Sequence, residues 1–112
     1  MSGGIRSTGE WRSLDAGTVA ALSGQLGVYE VADADGVVVK IGTAGGLDPF
    51  GMRSAMTAEL DRWDAGHLFR FEHTSAYRTR HIELLMIHLA DHGSLPICND
   101  EDPQRLGRLS PG

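Results

Sequence analysis

The chain of 112 residues has a single cysteine, Cys98, so no internal disulfide can form. Nothing in the composition therefore requires an oxidising compartment. No apolar run approaches the roughly 20 residues of a membrane-spanning helix, and the N-terminus has no apolar signal stretch. These absences predict a cytoplasmic protein without a membrane partner.

Basic charge is also scarce, because 10 Lys and Arg residues face 15 Asp and Glu residues, for a net charge of −5. A protein that grips nucleic acid usually presents a basic footprint, and this chain has none in bulk. A polyanionic partner would have to meet a local cluster of arginines.

The remaining composition is that of a folded soluble domain, with 41% hydrophobic and 22% charged residues. The length allows one domain with one modest core. We expect an N-terminal extension at residues 1–24, with a possible short helix at 13–24. A folded domain at 25–103 and a flexible tail at 104–112 would follow.

The segment "GVYEVADADGVVVKIG" (27–42) predicts a β-hairpin. Two apolar runs, at 26–33 and 37–44, flank an Asp-Gly turn that supplies positive φ at low cost. The pairing would bring Tyr29 and Lys40 toward each other across the ladder. Because each lies close to a glycine, we expect the thin backbone there to let a ligand approach.

Helical and strand periodicities continue along the chain. A helix is predicted at 50–64, with Asp48 as its cap and Pro49 in its first turn. A third strand at 67–73 and a second long helix at 75–91 follow. This order predicts an α/β fold in which a small, mostly antiparallel, three-stranded sheet is flanked by helices.

Apolar stripes predict which helix faces are buried. The predicted stripes are Met52, Met56, Leu60 and Trp63 in the first long helix, and Ile82, Leu85, Met86 and Leu89 in the second. Arg53, Glu59 and Arg62 lie off the first stripe.

The hairpin motifs resemble those of the GIY-YIG nuclease superfamily. "GVY" (Gly27–Tyr29) is similar to the first family motif, and "KIG" (Lys40–Gly42) to the second, with Lys in place of Tyr. The lysine form is typical of one phage and bacterial branch. The resemblance extends over about residues 26–99 and implies a GIY-YIG-like fold with five site residues: Tyr29, Lys40, Arg53, Glu83 and Asn99.

The resemblance implies hydrolysis of DNA phosphodiesters with Mg²⁺ or Mn²⁺. Tyr29 would deprotonate water if Lys40 lowered its pKa from the ordinary value of about 10, or Lys40 itself would take the proton. Glu83 would hold the metal ion, and Arg53 would bind the phosphate. Asn99 would orient its loop or the Tyr29 hydroxyl.

DNA would be met by a local basic rim, for which the candidates are Arg62, Arg78, Arg80 and His81. The alternative is that these residues are scattered surface charges. A protein partner or a homodimer could supply specificity, since no separate DNA-reading domain is evident.

Two other functions compete with the endonuclease. A catalytically lapsed GIY-YIG-fold module that binds protein or nucleic acid is favoured by Lys40, by the net charge and by Thr57, which replaces a histidine common in the family. An unrelated α/β interaction domain is the third reading. A zinc site at His88, His92 and Cys98 is a weaker alternative, because such pairs are usually polar helix faces.

Overall fold

The computed structural model describes residues 9–99 and contains one four-stranded sheet and three helices. The elements in chain order are β1 (Arg12–Ser13), α1 (Ala16–Ala20), β2 (Gly27–Ala32), β3 (Val38–Ala44), α2 (Gly51–Arg62), β4 (Leu68–His73) and α3 (Tyr77–His92). The strand order is β1-β4-β2-β3, and all neighbours are antiparallel. The predicted α/β class is confirmed, and β1 is a fourth strand that was not predicted.

The central strand β2 pairs with β3 on one side and with β4 on the other. Tyr29 lies opposite Gly42 of β3 and Phe71 of β4, and Val31 lies opposite Lys40. Because side chains alternate along a strand, Tyr29 and Val31 share one face of the sheet, whereas Val28 belongs to the other.

Helices cover both faces of the sheet, so the core is split into two layers. One layer lies under α1 and α2 and consists of Leu14, Val19, Leu22, Tyr29, Val31, Ala44, Met52, Ala55, Met56 and Phe69. The layer under α3 consists of Val28, Ile41, Leu84 and Leu85. A side chain on α2 and one on α3 therefore start from opposite faces.

Leu14, Val19 and Leu22, which belong to the predicted extension, pack in the same core layer as Tyr29 and Met56. Asp15 caps α1 by accepting a hydrogen bond from the Thr18 amide at 2.8 Å, and Val19 and Leu22 are buried. The predicted tail at 104–112 lies outside the described residues.

The start of α2 differs from the prediction. Asp48 does not cap the helix, because its Oδ2 accepts a hydrogen bond from the Gly45 amide at 2.8 Å. The helix begins after Phe50, without a side-chain cap. Gly51 has φ 51°, a left-handed conformation that favours glycine, and its backbone packs against Gly24.

The buried face of α3 is rotated relative to the predicted stripe. Leu84 and Leu85 are buried, whereas Met86 is 45% exposed. His81 faces the sheet, since its Nε2 lies 2.9 Å from the Ile41 carbonyl oxygen. The inner positions therefore follow 81, 84 and 85.

Among residues 9–99, no helix combines the length and the apolar character needed to cross a bilayer.

Candidate functional site

Tyr29 and Lys40 meet at a buried carboxylate on α2. The Tyr29 hydroxyl donates to Glu59 Oε2 at 2.5 Å, and Lys40 Nζ binds the same oxygen. Trp63 Nε1 donates to Glu59 Oε1 at 2.8 Å. The side chain of Glu59 is only 4% exposed and that of Lys40 is 22% exposed. The hairpin brings its two motif residues together as predicted, and Glu59 joins them.

The pKa of Tyr29 moves opposite to the expected direction. Burial raises it most, and the negative charge of Glu59 and the hydrogen bond to Glu59 raise it further, with only Arg62 opposing them. The expectation that Lys40 activates the phenol is therefore wrong for this arrangement. Tyr29 is a neutral hydrogen-bond donor at physiological pH, and a water-deprotonating phenolate would need a lowered pKa.

Glu59 is held in its ionised form. Burial pushes its pKa up, but the hydrogen bonds from Lys40, Tyr29 and Trp63 and the charge of Lys40 outweigh burial, so the pKa is lowered. No buried side-chain polar atom lacks a partner within residues 9–99. The three donors and Glu59 form a satisfied network of the kind that fixes side-chain positions.

The glycines beside Tyr29 and Lys40 have a structural reason. A Cβ on Gly42 would overlap the ring of Tyr29, and a Cβ on Gly27 would overlap the β4 backbone at Glu72. The space that the sequence was expected to leave for a ligand is thus filled by Tyr29 and by β4.

Glu83 lies on α3, which covers the other face of the sheet from Tyr29. Arg80 Nη1 binds Glu83 Oε1, and Arg80 Nε and Nη2 bind Glu72 at 2.9 and 2.8 Å. The structure does not bring Glu83 to Tyr29. A metal ion at Glu83 would have to compete with the Arg80 cation that already binds Oε1, so binding of Mg²⁺ or Mn²⁺ at Glu83 stays a prediction.

Asn99 holds its segment against the edge of β3. Its Oδ1 accepts from the Ile41 amide at 2.7 Å, and its Nδ2 donates to the Ile41 carbonyl at 2.8 Å. The Cys98 amide also donates to the Val39 carbonyl. Asn99 thus orients its loop, one of its two expected roles, and its amide is used on Ile41 rather than on the Tyr29 hydroxyl.

Of the four residues of the predicted basic rim, Arg80 and His81 are bonded within the fold, whereas Arg62 and Arg78 are exposed. Arg80 binds Glu72 and Glu83, and the His81 Nε2 atom lies 2.9 Å from the Ile41 carbonyl oxygen. Arg62 lies 3.7 Å from the Cys98 sulfur and stacks over Trp63. Arg53, in the first turn of α2, lies 4.9 Å from the centroid of the Phe50 ring, and Arg78 is exposed, 5.8 Å from that of Tyr77.

The histidines of the zinc alternative pack against each other with tilted rings. The ring centroids of His88 and His92 are 4.3 Å apart, and Cys98 instead contacts Arg62. Residues 9–99 contain no group of three or more His, Cys, Asp or Glu side chains placed to hold a metal ion.

Residues 5–91 match the family model described as a domain of unknown function, DUF7508. The chain belongs to the DUF7508 family. The matched range includes Tyr29, Lys40, Glu59 and Glu83, whereas Asn99 lies beyond it. No curated protein and no solved structure matches the chain. Since the DUF7508 description states no activity, the GIY-YIG resemblance stays a prediction.

Glu59 is the residue of the DUF7508 domain that the sequence prediction missed. The buried positions of α2 include Met52, Ala55, Met56 and Glu59, which follow the spacing i, i+3, i+4 and i+7. The sequence did contain one signal for Glu59: it is a carboxylate at the fourth position of an otherwise apolar stripe.

The Tyr29 contact predicts how the stability of the DUF7508 domain depends on pH. Above about pH 10 the unfolded phenol ionises while the folded one keeps its proton, so stability falls by up to about 1.4 kcal/mol per pH unit. Tyr29→Phe should lack this decline. Urea unfolding of both proteins from pH 8 to 11 measures it, and equal slopes would contradict the raised pKa.

Proposed function

We propose that this domain is a nucleic-acid-binding module with a GIY-YIG-like fold that does not hydrolyse phosphodiesters. One observation carries the proposal: internal partners hold the groups that would cut, whereas the exposed Arg78 and the half-buried Arg53 have no carboxylate partner within residues 9–99. Tyr29 donates to Glu59, and Glu83 binds Arg80. Arg53 and Arg78 lie beside aromatic rings near the surface.

The topology is consistent with the GIY-YIG resemblance. The "GVY" strand is central, the "KIG" strand pairs with it in antiparallel register, and Arg53 lies in the first turn of the following helix. These features agree with the fold that the motifs imply and leave the activity to be decided by the site.

The charge balance sets the expected strength of binding. With a net charge of −5, the domain has no long-range attraction for a polyanion, so affinity depends on a few local arginines. Binding should therefore be weak and fall as salt increases.

A Mg²⁺- or Mn²⁺-dependent endonuclease is the second candidate. It is favoured by the meeting of Tyr29 and Lys40, the two hairpin motif residues, at one point. The raised pKa of Tyr29 and the Arg80–Glu83 pair count against it.

Binding and cutting can be measured side by side. Fluorescence anisotropy with labelled single-stranded and duplex DNA should show salt-sensitive binding to at least one form. Supercoiled plasmid incubated with Mg²⁺ or Mn²⁺ should stay intact with the wild type, with Glu83→Gln and with the exposed-carboxylate control Glu10→Gln.

Two outcomes would contradict the proposal. Nicking by the wild type and by Glu10→Gln that disappears in Glu83→Gln would establish the endonuclease instead. Absence of binding to both forms of DNA at low salt would exclude a nucleic-acid-binding module.

A further inference from the structure

The loop between β3 and α2 exposes large apolar side chains. Leu47 is 99% exposed and Phe50 is 59% exposed, although hydrophobic residues make up most of the core. The Arg53 guanidinium lies 4.9 Å from the Phe50 ring centroid. An exposed aromatic ring next to an arginine offers a flat apolar surface and a positive charge together.

A second arginine and a second aromatic ring adjoin the start of the same loop. The Gly46 amide donates to the Tyr77 hydroxyl at 3.2 Å, and Gly45 packs against the Tyr77 ring. Arg78 lies over that ring. Strands β3 and β4 both run antiparallel to β2, so they end at the same edge of the domain, where α2 and α3 begin.

Arg53 and Arg78 at this edge outnumber the one carboxylate of the loop, Asp48. The first turns of α2 and α3 contain no acidic residue, and within residues 9–99 neither Arg53 nor Arg78 pairs with a carboxylate. The nearby Asp48 directs Oδ2 to the Gly45 amide, back into the loop. The edge is therefore a local positive surface on a negatively charged domain.

We propose that this surface, formed by Phe50, Arg53, Tyr77 and Arg78, binds single-stranded nucleic acid. This inference rests on the proposed function and adds the site and the form of the ligand. A base stacks on the exposed Phe50 ring, and neighbouring phosphates bind the two arginines. Single strands are preferred because a duplex hides the base faces that stack.

Phe50→Ala should weaken binding of a labelled oligothymidylate by about 5- to 150-fold, the usual effect of removing one stacking platform. Phe50→Tyr, which keeps the ring, should bind like the wild type. Val37→Ala is the matched control, since Val37 is 58% exposed in the turn region at the other end of the hairpin. Its affinity should not change.

Arg53→Gln and Arg78→Gln should each reduce the salt dependence of binding. On single strands, each lost phosphate contact lowers the slope of log K against log salt by about 0.7. Arg12→Gln is the control, because Arg12 is exposed on β1, at the opposite edge of the sheet from β3. Thermal unfolding by circular dichroism verifies that each variant is folded.

The outcomes separate this inference from the proposed function. One outcome is that the wild type binds and that its affinity is the same in Phe50→Ala, Arg53→Gln and Arg78→Gln. That outcome would overturn the site and leave the binding module intact. Tighter binding to duplex than to single strands would overturn the single-strand preference. If the protein binds neither single-stranded nor duplex DNA, both the binding module and this site are overturned.

Discussion

Glu59→Ala is expected to lower the free energy of unfolding by about 3 kcal/mol, the lower end for breaking a buried ion pair. The variant removes the carboxylate partner of the partly buried Lys40 cation. It also leaves the Tyr29 hydroxyl and the Trp63 indole N–H without their acceptor. The lower end applies because the Lys40 side chain is 22% exposed and keeps some hydration. Urea unfolding of the wild type and the variant at neutral pH measures the loss.

Glu83→Ala is the matched control for Glu59→Ala. It also removes a carboxylate from an ion pair, but the Glu83 side chain is 38% exposed and Arg80 keeps Glu72 as a partner. We expect a loss below about 1 kcal/mol. Equal losses in the two variants would contradict the view that the buried Glu59 network stabilises the fold more than the half-exposed Glu83 pair does.

Gly42→Ala is expected to destabilise the domain by about 3 kcal/mol, from overpacking and a weakened charged hydrogen bond. The added methyl group would overlap the Tyr29 ring, which is 5% exposed and anchored on Glu59, so the ring cannot move aside without losing that bond. Thermal and urea unfolding measure this effect.

Gly46→Ala is the control for the Gly42 variant, because a Cβ at Gly46 would make only an ordinary contact, 3.8 Å from the Tyr77 hydroxyl. Its stability should stay within about 0.5 kcal/mol of the wild type. If Gly42 were thin to admit a ligand, Gly42→Ala would keep its stability and lose binding, which would contradict our interpretation.

The strands and long helices could be predicted because their periodicity is local. The alternation in β2 and the turn at Gly36 identify the hairpin, and the Met52–Met56 spacing identifies the inner face of α2. Strand β1 has only two residues, and its pairing with Leu68 and Phe69 joins distant parts of the chain. A strand of two residues has no local pattern from which it could be predicted.

The candidate site was predictable only where the hairpin fixes it. Tyr29 and Lys40 share a face because the register follows from a short turn. The face of the sheet that a helix covers depends on how the chain crosses the sheet. The order of the motifs along the chain therefore did not indicate that Glu83 and Tyr29 lie on opposite faces. Likewise, the partner of Tyr29 depends on how α2 packs, and Glu59 was therefore overlooked.

The most direct test of the account is an NMR titration of the Tyr29 phenol with tyrosine isotope-labelled at Cζ, assigned with Tyr29→Phe. The central claim is that Tyr29 is a buried donor to Glu59 and not a water-activating base. The Cζ shift of Tyr29 should keep its neutral-phenol value in the folded protein throughout the range from pH 6 to 10. A phenolate that forms near pH 7 to 8 while the fold persists would contradict the account and support the endonuclease.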